Sequence, residues 1–334
     1  MKRVFITGAP GWLGTRCVET LLKKEFPFQK YDYSCTCFVL RGVDASKLEI
    51  MGAKIIYGDI RDQDSLKGAM EECDCVIHMA AVVHPKRIKD MYDTNVIGTK
   101  NVLHEAILYK VKKFIYISSN SPAGFNIDGK LFSETDPPRP YMNYGRSKYL
   151  AEEFVRKAAR DTPIEAIILR PCWFYGPRQP ARQTRLFKMI KGGTPILFGD
   201  GGNLRSLSYV DNTVQGIILA LEKEGINGQT YWIADERPYT TLEIYKAIAE
   251  MLGVKTLKPR KIPAWSSSVF GAMDLAVQAA GLYIPEIHVV GEMSRNIACS
   301  IEKAKKELGY RPQVSLREGM RRSIEWCRAN GIEI

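Results

Sequence analysis

The sequence predicts an α/β fold in which a doubly wound parallel sheet is followed by a smaller C-terminal lobe. Short, apolar, β-branched runs alternate with longer helical patterns through the first half of the chain, as in parallel sheets covered by helices on both faces. The first of these runs, residues 3–7, leads directly into a turn that contains Gly8, Gly11 and Gly14. Beyond Pro171, proline and glycine become frequent, which indicates the loops and short elements of a second lobe.

In the first half, strands and helices follow one another. Strands are predicted at residues 3–7, 35–40, 54–57, 75–79, 113–118 and 164–169. Helices are predicted at residues 13–25, 65–72 and 95–109, and a further helix carries Tyr144 and Lys148 and continues to about residue 160. Crossovers between parallel strands are expected to place these helices on both faces of the sheet.

The second half is divided between two predicted domains. A strand at residues 207–210, a helix at 212–221 and a strand at 230–234 are expected to return to the first domain. Helices at residues 242–252, 301–308 and 316–329 are expected to build the second lobe. The first domain therefore comprises residues 1–171, continued by about 207–235, and the lobe comprises residues 172–206 and 236–334.

The composition is that of a soluble globular enzyme, with 334 residues, 45% hydrophobic and 25% charged. No run of 18 or more uninterrupted apolar residues occurs, so no membrane span is expected, and no secretory signal is seen, which predicts a cytoplasmic protein. The net charge of +11 suits nucleic acid, a membrane surface or a small anionic ligand. Because the basic residues are scattered and form no nucleic-acid motif, a small anionic ligand is favoured and nucleic acid is not expected.

The eight cysteines are expected to be reduced, because nothing indicates export. Cys35 with Cys37, and Cys73 with Cys75, have spacings that raise the question of a zinc site. They fall on the predicted second and fourth strands of the sheet, which flank the first strand and do not touch. Small buried hydrophobic residues are therefore the favoured interpretation, and no metal is expected.

Residues 265–284 form an apolar segment that is interrupted by Asp274 and Gln278. A core helix or a lid helix is the favoured interpretation of this segment. Contact with a membrane surface is the alternative.

The glycine turn predicts a site for the pyrophosphate of a dinucleotide. Glycines between a strand and a helix let the backbone approach the anion, and the helix N-terminus offers free N–H groups to it. After the second strand the chain reads Leu40-Arg41-Gly42, with no carboxylate until Asp44. A guanidinium at Arg41 can pair with a ribose 2′-phosphate, so NADP(H) is favoured and NAD(H) is the alternative.

Tyr144 and Lys148 form the pair that predicts chemistry beside this cofactor. Four residues apart on a helix, their side chains lie on one face, one turn apart. A nearby ammonium favours the phenolate and lowers the pKa of the Tyr144 phenol. Tyr144 is therefore a candidate general acid and base.

With these residues placed, the chain resembles the extended short-chain dehydrogenases/reductases. More narrowly, it resembles the NAD-dependent epimerase/dehydratase group, near the 3β-hydroxysteroid dehydrogenase-like branch. The motifs that carry the resemblance are Thr7-Gly8-x-x-Gly11-x-x-Gly14, Gly58-Asp59-Ile60, His78-Met79-Ala80-Ala81, Asn95, Leu169-Arg170-Pro171, Tyr175-Gly176-Pro177 and the pair Tyr144 and Lys148.

The resemblance implies a Rossmann fold for the first domain and a substrate-binding role for the lobe. It also implies a homodimer through a helix bundle that includes the Tyr144 helix. The residues expected to contact the NAD(P) cofactor are Gly8, Gly11, Trp12, Leu13, Gly14, Arg41, Asp59, Ile60, Ala80, Ala81, Asn95, Tyr144, Lys148 and Pro171.

The resemblance further implies a catalytic triad. Ser119 is the expected third member, because its spacing to Tyr144 matches UDP-galactose epimerase-like sequences, and Ser118 is the alternative. Ser119 would hydrogen-bond the reacting oxygen, Tyr144 would give or take its proton, and the nicotinamide would carry hydride. Lys148 would bind the ribose hydroxyls of the nicotinamide half. A noncatalytic cofactor-binding regulator on the same fold remains an alternative.

The two residues after the triad serine narrow the choice of reaction. The 4,6-dehydratases of the family carry an Asp-Glu pair there, whereas this chain has Asn120 and Ser121, so dehydration is disfavoured. Carbonyl reduction, alcohol oxidation and epimerisation by transient oxidation remain. Cys172 lies near the expected substrate entrance, where a small buried cysteine is favoured over an acid or base.

A nucleotide-activated sugar is the favoured substrate. Arg205 matches the position at which nucleotide-sugar enzymes place an arginine on the substrate diphosphate. The expected substrate-binding residues are Ser119, Ser121, Trp173 and Arg205. The alternative is a hydrophobic alcohol such as a sterol, which is favoured by the apolar Trp173 and Phe174 and by residues 265–284.

Overall fold

A seven-stranded parallel sheet forms the centre of the first domain. The computed structural model describes residues 1–127 and 129–334, apart from the side chain of Arg182. The strands of the sheet are β1 (Lys2–Thr7), β2 (Tyr33–Val39), β3 (Lys54–Tyr57), β4 (Cys75–His78), β5 (Lys113–Ile117), β6 (Glu165–Pro171) and β11 (Thr230–Ile233). Their order is β11-β6-β5-β4-β1-β2-β3, and neighbouring strands are parallel. The sheet extends in both directions from β1 and β4, which confirms the predicted doubly wound fold.

Helices cover both faces of the sheet and build much of the lobe. They are α1 (Trp12–Lys23), α2 (Ser46–Ile50), α3 (Ile88–Tyr92), α4 (Thr99–Leu108), α5 (Met142–Asp161), α6 (Ala181–Lys191), α7 (Val210–Glu222), α8 (Thr241–Leu252), α9 (Trp265–Ala279), α10 (Pro285–Glu292), α11 (Glu302–Leu308) and α12 (Leu316–Ala329). In the part of the chain that the structure describes, none of these helices has the length and hydropathy needed to cross a bilayer.

Alternate residues of the strands enter two different apolar cores. On β1, Val4 and Ile6 are buried in the core that α1 and α7 cover, whereas Phe5 is buried in the core that α4 and α5 cover. This alternation follows from the two-residue period of a strand and explains why the runs are apolar throughout. Cys35 and Cys75 lie in the first of these cores, on strands that flank β1.

Two predicted helices have a different form in the structure. The helix predicted at residues 65–72 is only a 3₁₀ turn, Asp64–Leu66. Gly68 and Glu72 have positive φ angles of 75° and 62°, which a helix cannot accommodate. The helix predicted at residues 95–109 begins as a π-helical turn, Asp93–Gly98, and continues as α4.

The lobe contains short strand pairs and a third apolar core. Its strands are β7 (Trp173–Tyr175), β8 (Ile196–Phe198), β9 (Leu204–Arg205), β10 (Leu207–Tyr209), β12 (Tyr239–Thr240) and β13 (Arg260–Ile262). They pair as β7 with β10, β8 with β13 and β9 with β12. β10, which was predicted to return to the first domain, pairs with β7 outside the central sheet. Helix α11, predicted in the lobe, supplies Ala304 and Leu308 to the core shared with α7 and β11.

Candidate active site

The glycine turn between β1 and α1 has no room for side chains. Gly8 has a φ of 86°, and a Cβ there would lie 2.6 Å from the backbone N of Ala80. A Cβ on Gly14 would lie 2.6 Å from the carbonyl oxygen of Gly8. Helix α1 begins directly after Gly11, and no described side chain caps its first N–H groups. The turn therefore leaves backbone donors and a positive helix end free for an anion, which fits the pyrophosphate of a dinucleotide.

The two residues that open α1 connect this turn to the rest of the molecule. Trp12 Nε1 donates a hydrogen bond to the carbonyl oxygen of Pro177 at 2.7 Å, and its ring lies edge-on to that of Phe174. Leu13 packs against the core of the first domain and also against that of the lobe. Both side chains therefore hold the lobe against the glycine turn.

A buried hydrogen-bond chain fixes the segment that follows β4. Thr7 Oγ1 lies 2.6 Å from His78 Nδ1 and accepts a hydrogen bond from the backbone N of Ala80. His78 Nε2 is bonded to Thr99 Oγ1 on the other side, at 2.9 Å. Burial, aided by the charge of Lys148, lowers the pKa of His78 to about 3, so the ring is neutral. The chain of hydrogen bonds positions Ala80 beside Gly8, a role for Thr7 and Thr99 that the sequence did not reveal.

Asn95 is bonded within the protein on both sides of its amide. Its Oδ1 accepts from the backbone N of Val82 at 2.7 Å, and its Nδ2 donates to the carbonyl oxygen of Val82 and to Ser147 Oγ. Asn95 lies in the π-helical turn, a form that is frequent at functional sites. It therefore joins the segment after β4 to α5, the helix that carries Tyr144.

The residues predicted for the adenosine half lie at the edge beyond β2 and β3. Arg41 is exposed in a turn after β2. Asp59 accepts hydrogen bonds from Arg61, and these lower the pKa of its carboxyl. Ile60 is buried, and its side chain lies where a Cβ on Gly98 would stand. Asp59 and Arg61 line a surface depression of about 390 Å³.

Lys148 is buried between the sheet and α5, with 2% of its surface exposed. Its Nζ donates to the carbonyl oxygen of Ile117 at 2.8 Å and lies 4.3 Å from the centre of the Tyr116 ring. Burial lowers the pKa of this ammonium to about 7, against the opposing effect of Glu152. Tyr144, half-buried, lies one turn earlier on α5. Tyr144 and Lys148 therefore lie on the part of α5 that packs at the C-terminal end of β5.

Glu152 forms a buried cluster that the sequence did not reveal. Its carboxylate accepts from Ser118 Oγ at 2.6 Å, from Arg170 Nε and Nη2 at 2.8 and 2.6 Å, and from Arg156 Nη2 at 2.6 Å. Burial opposes ionisation, but the bonds from Arg170 and its neighbours lower the pKa of Glu152, so the carboxylate is charged. The hydroxyl of Ser118 is therefore engaged in a hydrogen bond to Glu152.

Ser119 lies in a loop that packs on the first turn of α5. Its Oγ is 3.3 Å from Ser121 Oγ and 3.4 Å from Asn120 Oδ1. A Cβ on Gly145 would lie 2.6 Å from the carbonyl oxygen of Ser121, and the backbone N of Tyr141 donates to that oxygen. The loop and the Tyr144 turn therefore adjoin, and Ser119, unlike Ser118, does not bond Glu152.

The residues predicted for the substrate occupy different environments. Trp173 is exposed on β7, whereas Pro171, at the end of β6, is buried. Arg205 Nη2 donates to the carbonyl oxygen of Glu292 at 2.5 Å, and burial lowers the pKa of its guanidinium. Cys172 lies 3.6 Å from Cys299 between the sulfur atoms, and this contact and burial raise the pKa of its thiol well above the ordinary value. Cys172 is therefore a poor acid or base at neutral pH.

A cavity of about 260 Å³ opens beside the start of α5. Its lining includes Phe125, Tyr141, Met142 and Leu275, together with Arg295. Apolar and aromatic side chains thus face the space next to the Tyr144 turn.

These features define a dinucleotide-binding α/β protein with a candidate Ser-Tyr-Lys site. The model of the NAD dependent epimerase/dehydratase family matches residues 4–234. The chain therefore belongs to this family, and the predicted family and its NAD-dependent oxidoreductase and epimerase class are confirmed.

Three curated relatives show the range of this similarity. The uncharacterized protein y4nL of Sinorhizobium fredii is 40% identical over 98% of this chain and 96% of its own length. The UDP-glucose 4-epimerase of Vibrio cholerae is 27% identical over 97% and 95%. The decarboxylating sterol-4-alpha-carboxylate 3-dehydrogenase of Candida albicans is 27% identical over 98% and 97%.

Solved structures have the same fold along the whole chain. The crystal structure of gox2253 has a TM-score of 0.82 at 26% identity and covers 100% of both chains. The Thermus thermophilus UDP-glucose 4-epimerase in complex with NAD has a TM-score of 0.75 at 25% identity and covers 98% of this chain and 99% of its own.

Proposed function

We propose that the protein is an NAD(P)-dependent oxidoreductase or epimerase that acts on a hydroxyl or carbonyl of a nucleotide-activated sugar. The observation that carries the substrate class is Arg205. Its guanidinium is desolvated and bonds a backbone carbonyl, and among the described residues no carboxylate forms an ion pair with it. The Glu292 carboxylate attracts the guanidinium but does not lie within ion-pair distance, so the cost of desolvating this cation is only partly offset. A substrate diphosphate would supply a direct ionic partner.

Each catalytic residue has a role that its surroundings support. Ser119 would donate to the reacting oxygen, because Ser118 is committed to Glu152. Tyr144 would transfer the proton of that oxygen, and Lys148 would hold the ribose hydroxyls and favour the phenolate. NAD(P), when bound, supplies the hydride acceptor or donor. NADP(H) remains the preferred form in this proposal, since Arg41 is exposed in the turn after β2 and a guanidinium can pair with a 2′-phosphate.

The test is a thermal-shift screen of the cofactor-loaded protein with UDP-, GDP-, CDP- and dTDP-sugars and with hydroxysteroids. A ligand that binds only the folded state raises the unfolding midpoint. One nucleotide series should do so, and Arg205→Ala should remove most of the shift. The matched control is Arg185→Ala, because Arg185 is an exposed lobe arginine paired with Glu286. An unchanged shift in Arg205→Ala would contradict the diphosphate role.

Catalysis is tested separately with Tyr144→Phe. This variant should still bind NAD(P)H but lose about 10²- to 10⁴-fold in turnover, because the proton donor is gone. Unchanged turnover would remove Tyr144 from the reaction. If wild type turned over none of the ligands that shift its midpoint, the regulator alternative would gain support.

A hydrophobic alcohol is the second candidate substrate. The cavity of about 260 Å³ beside the Tyr144 turn favours it, because Phe125, Met142 and Leu275 line it. The relative from Candida albicans is named as a sterol dehydrogenase. A thermal shift with steroids alone would promote this candidate over the nucleotide sugar.

We also propose a homodimer through α4 and α5. Leu108 and Leu150 are large apolar side chains that are exposed on these two helices. A helix pair that leaves such residues exposed is typical of a subunit interface.

A further inference from the structure

Helix α9 directs polar side chains toward the protein and large apolar side chains outward, which is the reverse of an ordinary surface helix. Ser267, Asp274 and Gln278 are its buried residues. Trp265 and Leu275 are 69% and 61% exposed. A helix that faced water would bury its apolar side chains and expose its polar ones. Of the core helix and the lid helix that the sequence favoured for this segment, the core helix is therefore wrong, and the outer face of α9 needs another explanation.

The polar face of α9 is held inward by a buried network. Asp274 accepts from Gln278 Nε2, at 2.9 Å, and lies 2.7 Å from His288 Nδ1 on α10. Gln278 Oε1 in turn accepts from the backbone N and from Nδ2 of Asn143, on the first turn of α5. Turning the helix over would bring Asp274 and Gln278 to the surface and leave His288 and Asn143 without these partners. The outward direction of the apolar face is thus fixed by hydrogen bonds.

Large apolar side chains are exposed along α9, in the loop that follows it and on α10, and we group them as one band. This band, here called the α9 face, consists of Trp265, Val269, Met273, Leu282, Ile284 and Val289, whereas the exposed Leu275 lines the cavity beside the Tyr144 turn. Apolar bands of this kind on a soluble domain mark interaction sites.

Basic residues flank both ends of the α9 face. Before α9, four exposed basic residues precede Trp265 within one segment: Lys255, Lys258, Arg260 and Lys261. Beyond its other end, Lys86 and Arg87 are exposed, and Arg87 forms a β-bridge with Leu282. Asp90 is paired with Arg87, so Lys86 carries the excess charge at that end, and Glu286 is paired with Arg185. At the start of α9, Asp200 is exposed, follows the Gly199 that lies against Ala264 and forms no ion pair among the described residues, but the four basic residues there outnumber it. Positive charge therefore predominates at both ends of the α9 face.

We propose that the α9 face is a docking surface for an anionic lipid bilayer. The apolar band would enter the headgroup region while the flanking Lys and Arg side chains meet lipid phosphates. Trp265, at the junction between a basic segment and the apolar band, has the position that tryptophan favours at membrane interfaces. A helix of 15 residues is about 22 Å long, too short to span, so it would lie in the plane of the surface.

The charge distribution favours a bilayer over a second copy of the chain. Both ends of the α9 face are basic, so pairing two such faces in either direction would bring like charges together.

The docking also has a consequence for the active site. Gln278 is bonded to Asn143, the residue before Tyr144, so the bilayer would lie on the side of the molecule where the Tyr144 turn is. The docking does not depend on which substrate is turned over.

The test is flotation of the full-length protein with vesicles of phosphatidylcholine alone or of equal parts phosphatidylcholine and phosphatidylglycerol. Wild type should float with the anionic vesicles, float less with the neutral ones, and be released by high salt. Combining Val269→Ser with Met273→Ser should weaken partitioning about tenfold for each side chain. Combining Lys258→Ser with Lys261→Ser should weaken it about fivefold for each charge removed.

Helix α2 offers matched controls, because Ile50 is 86% exposed and Lys47 is also exposed. Ile50→Ser and Lys47→Ser should float like wild type. All variants should keep the wild-type unfolding midpoint, because the changed side chains are exposed. The emission of Trp265 should shift to the blue on anionic vesicles, and this shift should vanish in Trp265→Phe.

Three results would overturn the proposal. The first is that wild type floats with neither kind of vesicle. The second is that the variant with Val269→Ser and Met273→Ser floats as well as wild type. The third is self-association of wild type that Val269→Ser with Met273→Ser abolishes, which would make the α9 face an interface between copies.

Discussion

At the scale of single residues, the site depends on which serine hydroxyl is free to act. Ser118 and Ser119 are adjacent, yet Ser118 Oγ donates to the buried Glu152 carboxylate while Ser119 lies in the loop against α5. The same cluster holds Arg170, at the end of β6, against α5. Glu152 thus anchors the strand ends on which the candidate catalytic groups lie, without being placed to touch the substrate.

We predict opposite effects for Ser119→Ala and Ser118→Ala. Ser119→Ala should reduce turnover with little loss of stability, because its hydroxyl bonds neighbours in its own loop. Ser118→Ala should lower the free energy of unfolding by about 1–3 kcal/mol, because a buried charged carboxylate loses a donor. Urea unfolding and turnover, measured on both variants, separate the two roles. A stable Ser118→Ala variant with no turnover would transfer the triad role to Ser118.

Lys148 predicts a pH dependence of stability. Burial lowers the pKa of its ammonium from 10.5 to about 7, so above pH 7 the folded chain has released a proton that the unfolded chain still binds. Stability should therefore rise with pH from about 7 to 8.5, with a limiting slope of about 1.4 kcal/mol per pH unit. Urea unfolding of wild type and Lys148→Met across this range measures it. An equal slope in both proteins would show that Lys148 is not the cause.

At the scale of elements, the sequence predicts best where local pattern decides the structure. The bounds of β3 and α12 match the predicted residues 54–57 and 316–329. The 3₁₀ turn Asp64–Leu66 was missed because positive φ angles at Gly68 and Glu72 leave little trace in hydrophobic periodicity. The pairing of β10 with β7 was missed because a three-residue strand does not encode its partner. Periodicity also cannot tell whether the apolar side of α9 points inward or outward.

Residues of the candidate site were likewise predictable only where a local sequence pattern determines their geometry. Tyr144 with Lys148, and the three glycines, are local patterns whose geometry the element type fixes. The partners of Thr7 and Glu152 were not predictable, because His78 and Arg170 are 71 and 18 residues away in the chain. The direction of the Arg205 side chain was equally beyond the sequence, since its bond is to a backbone carbonyl on α10.

The glycine turn gives a prediction at the scale of an element. Gly14→Ala should lower stability by about 1–3 kcal/mol and weaken NAD(P)H binding, because its Cβ would lie 2.6 Å from the carbonyl oxygen of Gly8. Gly192→Ala is the matched control, because its Cβ would meet atoms only at ordinary contact distance, 3.5 Å or more. Thermal unfolding and titration with NAD(P)H measure both effects. Wild-type behaviour of Gly14→Ala would show that the turn relaxes and is not the close-fitting cradle seen here.

At the scale of the whole molecule, the cofactor turn and the lobe form one structure. Trp12 bonds Pro177 across the boundary, and Glu19 on α1 forms an ion pair with Arg178 of the lobe. Leu13 packs against cores on both sides of this boundary. A ligand that binds between the two domains is therefore expected to stabilise both together.

The last prediction concerns assembly. If α4 and α5 form the dimer interface, Leu108→Glu should give a monomer, because a charge would be buried against the partner's apolar side chains. Ile50→Glu, at a more exposed site on α2, should stay dimeric, and so should Val269→Ser combined with Met273→Ser. Light scattering coupled to size-exclusion chromatography gives the mass of each. A monomeric wild type would contradict the dimer. A dimer that survives Leu108→Glu but not the α9 variant would instead move the interface to the α9 face.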